Sequence, residues 1–187
     1  MIERSMVLIK PDGVERNLIG NIISVYEDNG LKVIHLKLMT AARELAEKHY
    51  SQHKGKDFYE ELITYITRSP LCAMILEGED AIKRIRAING ATSPDDAAKG
   101  TIRHKYARSK TENCVHASDN EESAKREISL WFPEVNDWLL YKQKRLRFLK
   151  SQSFSFILQF LFSSKLHHRA LMNLLSQQIL HNYLILY

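Results

Sequence analysis

The chain is poor in the residues that build turn-rich or cross-linked proteins. Seven glycines and four prolines in 187 residues are too few for low complexity or for an all-β fold full of tight turns. Two cysteines occur, Cys72 and Cys114, far apart and without metal-ligand spacing. They read as reduced thiols packed as small hydrophobes, which suits a reducing, intracellular compartment. The opening MIERSMVLIKPDG lacks the features of a secretory signal: Glu3 and Arg4 come early, the apolar run is four residues, and no small-residue cleavage pattern follows. A clean membrane span is missing too. The longest uncharged stretch, 170–187, is broken by Asn173, Ser176, Gln177, Gln178, His181 and Asn182. The expectation is a cytoplasmic protein. Neither G-x-x-x-x-G-K-[ST] nor G-x-G-x-x-G occurs, which argues against a P-loop enzyme and a Rossmann dehydrogenase. If this chain handles phosphates, side chains must hold them.

Acidic residues are absent after Asp137, and this absence resolves the overall charge of +5. Lys142, Lys144, Arg145, Arg147, Lys150, Lys165 and Arg169 give the C-terminal stretch a charge of +7. The remainder, 20 basic against 22 acidic residues, carries −2, a balance that gives no sign of nucleic-acid affinity.

With 44% hydrophobic residues the chain can bury a core. Ser5 to Ile9 reads as a buried strand ended by a Pro11-Asp12-Gly13 turn. A helix over 19–29 carries Ile19, Ile22, Ile23 and Tyr26 on one face, with Gly30 as its C-terminal cap. The apolar phase slips between Leu31/Val33 and Leu36/Leu38, which suits a strand with a bulge or one buried on both faces. Helices are expected over 41–50, with Thr40 as cap, and over 58–67. A strand follows over 71–76, and a helix over 80–88 closes at Asn89-Gly90. Residues 91–112 have no clear period and read as a long loop, a length that is usually functional or a sign of misassigned elements. A strand over 113–117 leads to a helix ending at Pro133, with Ser118 and Glu121 at capping-box spacing. The order β-α-β-α-α-β-α-loop-β-α predicts an α+β fold: a ferredoxin-like, four-stranded antiparallel sheet of split βαβ type covered by helices.

The segment Asn113-Cys114-Val115-His116-Ala117-Ser118-Asp119 concentrates the chemistry. A histidine between a strand end and a helix start lies near free backbone N–H groups, where an anion is welcome. Glu127, on the helix that follows, can accept a hydrogen bond from one ring nitrogen. That fixes the tautomer and leaves the other nitrogen as a nucleophile.

N-C-V-H-A-S-D resembles the N-x-x-H-[GA]-S-D signature of the nucleoside diphosphate kinases. V-L-I-K-P-D-G, with Lys10, resembles that family's first strand. A-E-K-H-Y and H-K-G-K-D-F resemble its nucleotide-clamping helices. I-R-A-I-N-G-A-T-S-P, G-T-I-R and R-E-I-S-L-W-F continue the likeness, in order, across about residues 2–135. Taken singly, Lys10 reads as a solvated strand end, Arg86 as part of a basic helix face, Tyr50 and Phe58 as core, and Thr92 as a turn residue. Their joint spacing is what those readings leave unexplained.

The resemblance implies a phosphotransferase that moves the γ-phosphate of an NTP to an NDP by a ping-pong route through phospho-His116. Glu127 and Ser118 would orient the imidazole. Lys10, Tyr50, Arg86, Thr92, Arg103 and Asn113 would bind phosphates and sugar, and Phe58 would stack on the base. It also implies Mg2+ carried on the nucleotide phosphates and a homo-oligomer, tetramer or hexamer. Two departures stand out: His104-Lys105-Tyr106, where the family commonly has Gly-Asp and an aromatic, and Glu112, where it often has Arg.

The organisation expected is a catalytic domain over 1–138 and an extension over 139–187 that is mostly helical or disordered. Lys142 to Lys150 is basic and Phe154 to Phe162 nearly all apolar. Such a pair could lie on an anionic membrane surface, meet a protein partner, pack on the body, or stay poorly ordered. The second functional reading is therefore a binding or regulatory module working through this extension. Its aromatics interleave poorly with its basic residues, which argues against nucleic acid.

Overall fold

A computed structural model describes residues 1–135 of the chain. The expectations for 139–187 lie outside the described residues. In chain order the elements are β1 (Ile2–Ile9), α1 (Pro11–Glu15), α2 (Ile19–Asp28), β2 (Lys32–Met39), α3 (Arg43–His49) and α4 (Tyr59–Thr67). They continue with β3 (Leu71–Glu79), α5 (Ala81–Asn89), α6 (Ile102–Tyr106), β4 (Val115–Ala117) and α7 (Glu121–Trp131).

The four strands form one antiparallel sheet in the order β2-β3-β1-β4. Side chains alternate across a strand, so the continuous apolar run of β1 serves two cores. Met6 and Leu8 join Ala73 and Ile75 under Ala46, Ile63, Ile66 and Trp131 of α3, α4 and α7. Val7 and Ile9 join Cys72 and Met74 under Ile22, Tyr26 and Ile85 of α2 and α5. All four β1 residues are fully buried. Each stabilises the fold by roughly 1.5–3 kcal/mol relative to leaving it exposed. The sheet is the ferredoxin-like arrangement expected.

The bulge lies in β2, as a register shift between Val33 and His35. Burial on both faces does not hold: β2 is an edge strand, and Leu36 and Leu38 are 49% and 58% exposed. Gly30 does end α2, with φ of +70°. Leu31 N–H and Gly30 N–H reach back to the Tyr26 and Glu27 carbonyls at 3.1 and 2.8 Å.

Other local expectations are corrected. Pro11-Asp12-Gly13 opens a short helix rather than a turn, since Pro at the first helical position needs no N–H partner. Thr40 caps nothing; α3 starts after Ala42 without a side-chain cap. Ser118 is not the cap of α7 either: Asn120 is, its Oδ1 accepting Ser123 N–H at 2.8 Å. The long loop holds a 3-10 turn, Pro94–Asp96, and α6, both too short to show a period.

Candidate active site

Antiparallel pairing sets His116 opposite Leu8, at the point where β4 leaves the sheet towards α7. Its Nε2 lies 3.0 Å from Glu127 Oε2 on the second turn of α7. Ser118 Oγ donates to the same oxygen at 2.8 Å, and Arg126 approaches the other at 3.3 Å. Burial pushes the Glu127 carboxyl up. The bonds from His116 and Ser118 and the Arg126 charge outweigh it and hold the acid below its ordinary value. An ionised carboxylate only accepts, so Nε2 carries the proton and Nδ1 keeps its lone pair. Ser118 is itself held by Met6 N–H at 3.3 Å. It steadies the carboxylate and does not line the cavity.

The approach to His116 is a strained turn. Cys114 has φ of +64°, a left-handed conformation costing a non-glycine residue about 1–2 kcal/mol. Asp12, buried in α1, offsets the strain: its Oδ2 accepts Cys114 N–H at 3.2 Å and its Oδ1 accepts the Tyr65 hydroxyl. Lys10 N–H donates to Cys114 O at 2.7 Å. Gly13 leaves the room, since a Cβ there would meet Ile9 Cγ2 at 2.8 Å. The turn aims Asn113 inward, where its Oδ1 accepts from Lys10 Nζ at 2.7 Å. Asn113 Nδ2 donates to Lys110 O at 2.9 Å and Thr92 O at 3.2 Å. Burial, then the nearby Arg103 charge, pushes the Lys10 ammonium down to about 8, against the pull of Asp12 and Cys114.

These groups face a cavity of about 650 Å³, the size of an ordinary small-molecule site. His116, Lys10, Asn113 and Tyr50 line its inner part; Arg86, Thr92 and Arg103 line the side formed by α5, the loop after it and α6. Phe58 stands on the same cavity, 48% exposed, beside Leu62. Arg86 pairs with Asp119. Arg103 donates to Gly90 O and Val115 O, both at 2.8 Å, while its Nε has no partner among the described residues. The Tyr50 hydroxyl is likewise buried and unpaired. Every binding residue expected from the sequence thus reaches one cavity, and Glu127 and Ser118 stand behind His116.

Sequence reasoning missed three groups. Asp12 sits in a motif that reads as a turn, and nothing in one sequence marks its carboxylate as buried. His49 stands beside Tyr50, and its place against His116 depends on how α3 meets α7. Asp119 lies inside the quoted signature, though its ion pair with Arg86 is visible only in three dimensions. Of the departures, Glu112 accepts from Arg68 at 2.7 Å, while His104 and Lys105 are exposed on α6; the aromatic after them, Tyr106, packs on the second core and its carbonyl accepts from Arg16 at 2.6 Å.

A split βαβ sheet thus presents a carboxylate-backed histidine to a cationic cleft, an arrangement suited to phosphoryl groups. The family model described as nucleoside diphosphate kinase matches residues 3–136. A nucleoside diphosphate kinase of Clostridium perfringens (strain 13 / Type A) is 60% identical over 134 residues, covering 72% of this chain and 94% of that protein. One from Sulfurisphaera tokodaii is 55% identical over 133 residues, covering 71% and 90%. Among solved structures, the Halobacterium salinarum nucleoside diphosphate kinase in complex with CDP is 44% identical with a TM-score of 0.69, covering 71% of this chain and 88% of that one. The Aquifex aeolicus kinase is 36% identical with a TM-score of 0.69, covering 71% and 96%. The chain belongs to the nucleoside diphosphate kinase family.

Proposed function

We propose that this kinase works by a ping-pong route through Nδ1 of His116. The Nδ1 lone pair forms a bond to the γ-phosphorus as the bond from that phosphorus to the β–γ bridging oxygen breaks, and the diphosphate leaves with that electron pair. An acceptor diphosphate then enters, and its terminal oxygen takes the phosphoryl group while the N–P bond breaks. One observation carries this reading: the short contact between His116 Nε2 and an ionised, doubly hydrogen-bonded Glu127. It keeps Nε2 protonated, leaves Nδ1 nucleophilic, and balances positive charge on the ring as the N–P bond forms.

Phosphoryl transfer asks for positioning and charge neutralisation more than for covalent help. Lys10 and the Tyr50 hydroxyl are placed to take the oxygens of the transferred group. Arg86 and Arg103 offer planar forks to the remaining phosphates. Thr92 and Asn113 complete the phosphate and sugar contacts, and Phe58 supplies a flat face that accepts any base. Family members work with a divalent cation, and Mg2+ is the ion we propose here. The cavity offers two carboxylates, Glu61 on α4 and Asp119 between β4 and α7, and Asp119 is already paired with Arg86. That donor set fits an ion that arrives on the nucleotide phosphates and neutralises their charge.

We further propose a homo-oligomer, tetramer or hexamer; the exposed Leu36 and Leu38 on the edge strand β2 support it, and size measurement in solution tests it. A cytoplasmic location agrees with two buried, unpaired cysteines. Among the described residues no helix is long and apolar enough to cross a membrane. Residues 1–138 form the catalytic domain in this proposal, and 139–187 an extension. A membrane or protein partner for the extension rests on its composition alone. Truncation after Trp138 separates the readings, since phosphate exchange should survive it. The test of the mechanism is labelling: γ-labelled ATP with Mg2+ should leave an acid-labile, base-stable label, and His116→Ala should leave none.

A further inference from the structure

Three buried side-chain polar atoms lack a partner among the described residues: Tyr50 Oη, Arg103 Nε and His49 Nε2. The first two belong to residues that line the cavity. His49, the last residue of α3, does not line it and is 1% exposed. Its ring lies close to edge-on against three others. The centroid separations are 4.5 Å to Tyr50, 4.6 Å to His116 and 5.5 Å to Trp131.

The tautomer of His49 can be assigned. Trp131 Nε1 is a donor only and lies 3.2 Å from His49 Nδ1, so Nδ1 accepts. A neutral imidazole has one ring proton, which must then sit on Nε2. Burial first, and then the charges of His116, Arg126, Lys10 and His53, hold its pKa well below the ordinary value, so the ring is neutral at physiological pH.

A ring nitrogen of His49, one of His116 and a carboxylate oxygen of Glu127 all lie within 4.8 Å of one another. Two imidazoles and a carboxylate are also the composition of a zinc site. The tautomer argues against that use. A protonated Nε2 has no lone pair to give, and reversing the tautomer would set two N–H donors against each other at 3.2 Å. What remains beside the nucleophile is a neutral ring, locked by Trp131, with a polar N–H that has no partner among the described residues.

We propose that His49 is a positioning residue for phosphoryl transfer: locked by Trp131, it walls one side of the His116 ring, keeps a ring nitrogen near the His116–Glu127 pair, and so keeps Nδ1 as the only nitrogen offered to the phosphorus. Glu127 holds His116 by one bond to Nε2, and that single bond is all the carboxylate sets against rotation about Cβ–Cγ. A half-turn of the ring would place carbon against the carboxylate and displace both nitrogens. A second ring at 4.6 Å obstructs that rotation. A side chain of similar size without the N–H would fill the space while leaving a bare apolar edge beside an anionic carboxylate.

The inference rests on His116 being the nucleophile, so the parent protein is phosphorylated beside every variant; a parent that takes no label fails the earlier reading and not this one. The variants are His49→Leu, His49→Gln and Trp131→Phe, each checked for folding by thermal melting. The readouts are single-turnover phosphorylation by ATP, KM for ATP, and the position of the phosphoryl group on the imidazole by phosphorus NMR. His49→Leu should phosphorylate about tenfold more slowly with KM changed less than threefold, and should yield some Nε2-phosphohistidine. His49→Gln, which restores an N–H donor, should recover part of the rate. Trp131→Phe, which keeps His49 but frees its tautomer, should show a smaller loss and covers the case in which the His49 variants fold poorly. A parental rate with Nδ1 product alone in His49→Leu overturns the proposal, as does equal recovery by Leu and Gln, or a parental rate in Trp131→Phe.

Discussion

Replacing Glu127 by Gln tests the polar layer behind the nucleophile with the least change of shape. Two hydrogen bonds converge on Oε2, 3.0 Å from His116 Nε2 and 2.8 Å from Ser118 Oγ. An amide oxygen can still accept both, so packing is kept and the charge is lost. A bond to a charged acceptor is worth about 1.5–3 kcal/mol and a neutral one about 1. The difference matters most when the ring becomes cationic in forming the N–P bond. Removing that difference, about 0.5–2 kcal/mol of transition-state stabilisation, slows the step by about two- to thirtyfold. Glu127 does not line the cavity proposed to hold the nucleotide, so KM should change little. Single-turnover phosphorylation by rapid quench, with KM from steady-state exchange, measures both. A Glu127→Gln enzyme within twofold of the parent would show that the carboxylate charge does not act in the transfer. A variant that loses only KM would place Glu127 in binding instead.

Lys10 makes the cleft sensitive to alkali: with its ammonium pushed down to about 8, the unliganded enzyme loses this charge as pH rises through that value. KM for ATP should climb above pH 8, and Lys10→Met should have a high KM without that climb. The same depressed value makes folding stability rise with pH between about 8 and 10.5, because the unfolded chain holds the proton there and the folded chain does not; urea unfolding across that window reads the slope. Gly90, at φ of +81°, has Thr101 where a Cβ would go, so Gly90→Ala should lower thermal stability by 1 kcal/mol or more (roughly the left-handed penalty alone) and should weaken nucleotide binding through Arg103. Arg86→Lys keeps the charge but loses the fork, so KM for ATP should rise about tenfold while phosphorylation at saturation falls less.

The sheet could be read in advance because its signals are local and redundant. Apolar runs at Ser5 to Ile9 and Leu71 to Leu76, the phase slip in β2, and glycines after α2 and α5 each constrain the chain within a few residues. What escaped is decided at a distance. A five-residue helix such as α6 shows no period, and Pro11-Asp12-Gly13 fits a turn as well as a helix start. The Asp12 carboxylate is needed only because Cys114, about a hundred residues later, adopts a left-handed conformation against it. Ser118 had the spacing of a cap, yet its hydroxyl turns inward because Glu127 comes round on α7 to meet it. The residues proposed to bind nucleotide were legible through motif spacing, as was Ser118 beside Glu127, whereas His49 and Trp131, from α3 and α7, meet beside His116 only after folding.

Transfer of the label in two separate half-reactions probes the covalent intermediate most directly. Protein phosphorylated with γ-labelled ATP, freed of nucleotide, and then mixed with unlabelled GDP should give up its label as GTP, in an amount equal to the label lost from His116. Label that stays on the protein, or that passes to GDP just as well from His116→Ala, would contradict the account.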